Sequence, residues 1–181
     1  MNSCILLQVD DPRNKEVRKE SWKILEDFYE KGTFKAIGVS NYNIQHLQEL
    51  LSDCKIKPHV NQVEVHPHYP QKDLLAFCKA NDIHVTAYSS LGTTQPANGQ
   101  VNNLIKDPVV TKISEKAGLS NAQVLLLWGL QKDLSVVPKS VNPQHIIENI
   151  ELKGTLSDED MDLLDSIEIE SKYAWSAELV V

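Results

Sequence analysis

Four short β-branched runs constrain this chain more than any other feature. Each ends in polar or aromatic residues, and each is followed by a helical pattern. They are Ala36-Ile37-Gly38-Val39-Ser40-Asn41, Val60-Asn61-Gln62-Val63-Glu64-Val65-His66-Pro67, Val85-Thr86-Ala87-Tyr88-Ser89-Ser90-Leu91-Gly92 and Val136-Val137-Pro138-Lys139-Ser140-Val141-Asn142-Pro143. β-branched residues suit strands. Helical spacing follows at residues 44–51, 72–80, 109–116 (after a longer loop) and 144–148. Strands alternating with helices predict parallel βα units, whose ligand sites lie at the C-terminal ends of the strands. Those ends carry Ser40, Asn41, Gln62, Tyr88, Ser89, Lys139 and Ser140.

The fourth junction has its own chemistry. Asn142 is a good N-cap, and Pro143 suits the first helical position. The free N–H groups of that first turn would face whatever Lys139 and Ser140 face. A helix N-terminus, a cation and a hydroxyl together make an anion site, and phosphate is the expected anion. The plainer alternative is an ordinary strand–loop–helix junction with a surface lysine.

The order GVSNY, HVNQVEVHP, TAYSSLG and VVPKSVNPQHIIEN resembles the C-terminal half of an aldo-keto reductase. The upstream helical segment, residues 18–26, fits as well, and the resemblance spans about residues 11–175. It implies an α/β fold, a partial (β/α)8 TIM barrel made of roughly strands 5–8 with their helices and the C-terminal tail. Residues 1–10 then read as a divergent leader and residues 11–181 as a truncated reductase domain. A whole barrel takes about 250 residues, against 181 here.

The family binds NADPH in extended form and reduces aldehydes and ketones. The resemblance implies that Ser40, Asn41 and Gln62 hold the nicotinamide carboxamide and that Tyr88 stacks on the ring. It places Ser89 and Leu91 at the pyrophosphate and Lys139, Ser140 and Val141 at the 2′-phosphate. Glu148 and Asn149 fall at the adenine. His145 stands where the family usually has an arginine, and Ser90 and Gln95 replace a proline and an acidic residue of the pyrophosphate loop. These departures predict weak or residual NADPH binding, because a mostly neutral imidazole replaces a permanent planar cation.

The family's catalytic tyrosine, lysine, aspartate and histidine have no counterpart in the matched segments, so no catalytic residue is expected here. In the leader, residues 4–9 could serve as a fourth strand, but it offers Gln8 where the histidine is wanted. Among the remaining tyrosines, Tyr29, Tyr42, Tyr69 and Tyr173, none is paired by sequence with a lysine at a strand end. A small-molecule carbonyl substrate is therefore expected only in a complete barrel. Three readings stand side by side: a carbonyl reductase seen as a truncated form, a non-catalytic NADP(H)-binding or interaction module, and a non-functional truncated product. Open barrel edges would favour self-association.

A net charge of −7 argues against nucleic acid and anionic membranes as partners. No apolar run approaches the ~20 residues of a membrane span. Cys4, Cys54 and Cys78, odd in number and widely spaced, fit a reducing cytoplasm. His66-Pro67-His68 is a poor metal set without a Cys or acid cluster at ligand spacing, so no metal is expected. Trp22 and Trp128 read as core. Lys15, Arg18, Lys19 and Lys23, balanced by Glu16, Glu20 and Glu26, read as a solvated helix face. Ser120 and Gln123 predict a capping box, and Ser157 opens a helix expected to reach about residue 169. The tail, residues 171–181, corresponds by resemblance to the family's substrate-specificity loop, with Tyr173 and Trp175 as its aromatic contacts. Residues 92–107 correspond to a second such loop. Expected barrel-facing side chains are Val39, Val63, Val65 and Val85.

Overall fold

The computed structural model describes residues 13–93 and 103–174. Its described elements run α1 (Asn14–Glu30), β1 (Gly38–Ser40), α2 (Ile44–Asp53), β2 (Val60–Glu64), α3 (Lys72–Ala80), β3 (His84–Tyr88), α4 (Pro108–Ala117), α5 (Asn121–Gln131), β4 (Ser135–Val136), α6 (Pro143–Ile150) and α7 (Asp158–Asp165). A single 3-10 turn, Leu104–Lys106, precedes α4. The four strands form one parallel sheet in the order β1-β2-β3-β4. Each strand thus lies beside its neighbour in sequence, and helices make every crossover.

Local chemistry explains the helix starts. Asn43 caps α2, accepting from the His46 N–H at 2.8 Å, and the His46 ring reaches back to the Asn43 N–H. Asp107 caps α4 ahead of Pro108, and Gly118, at φ 65°, ends that helix in the left-handed region. The predicted Ser120/Gln123 capping box opens α5. Ser157 opens α7, with Asp158, Glu159 and Asp160 in the first turn. α7 stops at Asp165, four residues earlier than expected, where Ser166 turns its hydroxyl back to the Leu163 carbonyl.

α5 is apolar on every side. Its residues 124–129 are all buried, so it sits between the sheet and the outer helices. Gly129 faces β4 there, and an added Cβ would stand 2.9 Å from the Val136 methyl. Gly38 is needed on β1, where a Cβ would meet the Val60 carbonyl oxygen at 2.6 Å. Trp128 is buried in the main core and donates its indole N–H to Asp165 at 2.8 Å. Trp22 is the centre of a second cluster with Ile37 and Leu50. Both tryptophans are therefore core.

The sheet faces are assigned differently from expectation. Val63, Val65 and Val85 are buried, with Ala87, in the core against the helical layer. The alternate positions Gln62 and His84 are exposed, and Thr86 and Tyr88 are half-buried. Val39 is half-buried and packs against both clusters. The side chains expected to face a barrel interior thus face helices, and the open face of the sheet is polar. The period puts these valines on one face, but a helical layer and a barrel interior would both bury such a face, so the period alone does not tell them apart.

α1 also departs from a solvated face. Glu26 is buried, and its Oε1 accepts the Lys55 and Ile56 N–H groups at 2.7 and 2.9 Å. Arg18 and Lys15 pair with Glu49, and Lys19 with Asp53, so the basic residues bridge to α2. Glu26 stands in register with Trp22 and Tyr29 on one helix stripe, and burial of that stripe carries the carboxylate inward.

Candidate functional site

Three strand ends are tied together. Register places Ser40 beside Gln62 and Glu64 beside Tyr88. The Ser40 hydroxyl and the Asn41 N–H both donate to the Gln62 carbonyl at 2.9 Å. Asn41 lies at φ 60°, a left-handed position that asparagine tolerates, and it turns the chain out of β1. Its side-chain oxygen accepts the Tyr88 hydroxyl at 2.8 Å. Ser89, at φ 50°, makes the equivalent turn after β3. The residues expected around a carboxamide and its ring, Ser40, Asn41, Gln62 and Tyr88, and Ser89, expected at the pyrophosphate, are therefore gathered at one end of the sheet.

Burial, and then the charge of Glu64, push the Tyr88 phenol up to about 12, against the pull of the Asn41 bond. A proton donor working near neutrality needs the opposite shift. Tyr88 is a fixed neutral hydrogen-bond donor, and its ring is the part left to meet a ligand.

The second half of the expected set lines one open groove of about 630 Å³. Leu91, Lys139, Ser140, Val141, His145, Glu148 and Asn149 all contribute to its wall. Its volume lies within the usual range for ligand sites, ~300–1,000 Å³. Leu91 comes two residues after Ser89, so the groove begins just past the end of the Tyr88 strand. Asn142 caps α6 as expected, accepting from Gln144 N–H at 2.9 Å, and the Ile146 N–H bonds to the Asn142 carbonyl. The His145 N–H has no partner among the described residues, which leaves one first-turn donor open. Lys139 is exposed and makes no ion pair with a described carboxylate. Ser140 is partly engaged, its hydroxyl accepting Asn142 N–H at 3.1 Å. An open N–H, an unpaired ammonium and a helix N-terminus suit a phosphate, so these residues fit the phosphorylated end of NADPH. Glu148 is held by Gln144 at 3.2 Å.

A buried polar cluster beside this site was missed in the sequence. Glu64, His66, His68, Asp107 and Tyr173 are all buried. Glu64 accepts the Tyr173 N–H at 2.7 Å, the Ala174 N–H at 2.9 Å and His66 Nε2 at 3.0 Å. His68 lies between the Tyr173 hydroxyl at 2.8 Å and Asp107 at 2.9 Å. Both histidines of the His-Pro-His segment are thus committed to protein partners. The only sequence signal was the bare presence of two histidines and an acid at a strand end. Nothing marked Tyr173 as their partner.

Burial pushes the Glu64 carboxyl up, but the hydrogen bonds from His66, Tyr173 and Ala174 outweigh it and hold the group below its ordinary 4.5. Burial pulls His66 below its ordinary 6.5, against the pull of Glu64. His66 is then neutral, donates from Nε2, and keeps a buried Nδ1 without a partner. Both shifts have the same sign in linkage. The unfolded chain binds more protons than the native one, so stability falls with acid. The loss begins as pH drops below 6.5, through His66, and continues below 4.5, through Glu64. Thermal melts should show this decline, and Glu64→Gln should flatten its lower part. Equal slopes for the two proteins below pH 4.5 would contradict the assignment.

The remaining tyrosines are accounted for. Burial raises Tyr42, and Tyr29 packs against the His59 ring at 5.1 Å. Tyr69 meets a lysine of the tail and not of a strand end: Lys172 Nζ stands 5.4 Å over its ring, a cation–π contact. Residues Gln8, Gln95 and Trp175 lie outside the described residues.

A family profile described as aldo/keto reductase family matches residues 4–169. The chain is 43% identical over 152 residues to bovine (Bos taurus) aldo-keto reductase family 1 member A1, covering 82% of this chain and 47% of that protein. It is 44% identical over 154 residues to glyoxal reductase of Bacillus subtilis (strain 168), covering 84% and 53%. The chain therefore spans about half the length of the curated relatives it matches. Among solved structures, an aldo-keto reductase enzyme from a Medee basin deep-sea metagenome library superposes with a TM-score of 0.84 at 32% identity, over 91% of this chain and 59% of that one. The aldose reductase of Schistosoma japonicum superposes with a TM-score of 0.75 at 36% identity, over 83% and 47%. Four parallel strands with their helices match part of the (β/α)8 barrel of those structures.

Proposed function

This chain belongs to the aldo/keto reductase family, and on that premise we propose that it carries the cofactor-binding half of an NADPH-dependent reductase of aldehydes and ketones. The observation that supports this most is the groove lined by Leu91, Lys139, Ser140, Val141, His145, Glu148 and Asn149, whose wall starts three residues after Tyr88. Lys139 and the open first turn of α6 hold the phosphate end. Asn41 and Gln62 orient the carboxamide, and the Tyr88 ring covers one face of the nicotinamide, with its phenol pinned by Asn41. When bound, NADPH would supply the hydride for carbonyl reduction. The described residues bind and orient, and none of them offers the proton that reduction also requires. By itself the chain is a weak NADPH binder without turnover, and a carbonyl substrate belongs to a complete barrel. It acts in the cytoplasm and associates through its open sheet edges.

Calorimetric titration with NADPH tests the binding. Lys139→Ala should weaken affinity about tenfold, or ~1.4 kcal/mol. His145→Arg should tighten it, because guanidinium restores a permanent charge and a stacking plane. No heat for wild type or His145→Arg at millimolar NADPH would leave the alternative, a product that has lost its cofactor.

A further inference from the structure

We infer that Glu64 is a positioning residue that straps residues 171–174 across the end of the open sheet face, beside Tyr88. Side chains alternate along β2, so Val60, Gln62 and Glu64 share one face. Gln62 is exposed there, yet Glu64, two positions on, is 1% exposed. The tail makes the difference. The Tyr173 N–H donates to Glu64 Oε1 at 2.7 Å, and the Ala174 N–H donates to Oε2 at 2.9 Å. Register sets Tyr88 of β3 next to Glu64. The strap therefore crosses the sheet at the strand end proposed to face the nicotinamide.

Two neighbouring amides on the two oxygens of one carboxylate fix direction as well as place. A single bond would leave a pivot. The Ser171 N–H adds a further tie from the same segment, to the His68 carbonyl at 2.7 Å. A buried carboxylate is costly unless hydrogen bonds meet its oxygens, and bonds to a charged acceptor are the strong kind. Among the described residues three N–H groups meet Glu64, the third being His66 Nε2 on Oε1 at 3.0 Å. Two of the three leave with the tail. Strap and charge thus sustain each other: the ionised carboxylate keeps the tail docked, and the docked tail keeps the carboxylate ionised. A glutamine of the same shape lacks this hold, because its amide nitrogen turns a donor toward one of the two tail N–H groups.

The strap's part in shaping a carbonyl site rests on the proposed reductase reading. The strap itself can be measured without cofactor, so a failure of NADPH binding leaves it standing. Glu64 acts through the tail and touches no reacting atom.

Hydrogen exchange followed by mass spectrometry on the full 181-residue chain at neutral pH tests the strap. In Glu64→Gln, exchange in peptides covering 171–174 should rise by about tenfold or more, while peptides covering β3 and α5 keep wild-type rates. Unchanged exchange at 171–174, or an equal rise everywhere, would overturn the inference. The wild-type chain gives a second test should the variant fold poorly. Docking lowers the Glu64 carboxyl, so the hold is complete above its ordinary 4.5 and is lost as pH falls toward the lowered value. Corrected for intrinsic exchange, protection of 171–174 should drop by about fivefold or more between about pH 5 and pH 3.5, ahead of the β3 peptides. No drop, or a drop only in step with β3, would also overturn the inference. The other titratable groups around this point are His66 and His68 from the β2 exit, Tyr88 from β3, Lys172 and Tyr173 from the tail, and Asp107 ahead of α4. Glu64→Gln retains all of them, so the part of the acid response that it lacks belongs to the carboxylate.

Discussion

Purified 181-residue protein mixed with NADPH and a reactive aldehyde is expected to oxidise no cofactor above the protein-free rate. A positioned general acid contributes about 10²–10⁴-fold to such a reaction. The strand end proposed to face the cofactor carries the Tyr88 phenol, and it is unsuited to that task. It is pushed up to about 12 and its proton is directed at the Asn41 side chain. The matched relatives are about twice as long as the matched part of this chain, and the family resemblance puts the proton donor and its tuning partners in segments without a match here. The assay needs a specificity control, because traces of a host reductase would mimic activity. Steady oxidation that Tyr88→Phe and Lys139→Ala both abolish would sink the prediction and make Tyr88 the acid.

The same protein is expected to be larger than its 20.4 kDa chain mass in solution, with a mass that rises with concentration in size-exclusion chromatography with light scattering. Among the described residues β1 pairs only with β2, and β4 only with β3, so both outer edges offer backbone groups for pairing. Beside the β4 edge, α6 has no buried residue. Its Ile146, Ile147 and Ile150 are exposed, and Val141 ahead of it is 81% exposed. Burying one such side chain is worth ~1.5–3 kcal/mol, so covering this face offers a substantial driving force. The polar open face of the sheet offers far less, which locates the contact at α6 and the edges. Ile147→Lys combined with Ile150→Lys should lower the apparent mass. A monodisperse monomer at high concentration would refute the prediction. The continuous core beneath the sheet still predicts a cooperative melt in either state.

The sequence announced its helices well because their signals are local. α3 falls on the expected residues 72–80, and the caps at Ser120, Asn142 and Ser157 are all in place. The residues proposed for the cofactor share one end of the sheet because parallel strands bring their C-terminal ends to the same side. Two things were hidden. The layer that covers β2 and β3 could not be read, because helices and a barrel interior would bury the shared face of Val63, Val65 and Val85 alike. The Tyr173 cluster was hidden by distance along the chain: the partner of His68 lies 105 residues away, and Asp107 lies 39 away. Glu26 was misread because charge balance along a helix says nothing of which carboxylate faces an inner turn.

The spacing of the strand partners also orders the events of folding. The β1–β2 bond from Ser40 to Gln62 closes 22 residues, whereas the β3–β4 contact from His84 to Ser135 spans 51 and secures only a two-residue strand. Loop closure costs more as the loop lengthens, and long-range pairing is slow. The first three strands can therefore assemble while the chain is still emerging from a ribosome, with β4 joining afterwards. The latecomer carries Lys139 and the capped turn of α6 behind it. The nicotinamide end would then be shaped before the phosphate end, and the phosphate end would be the first part of the groove to open again when the native state breathes.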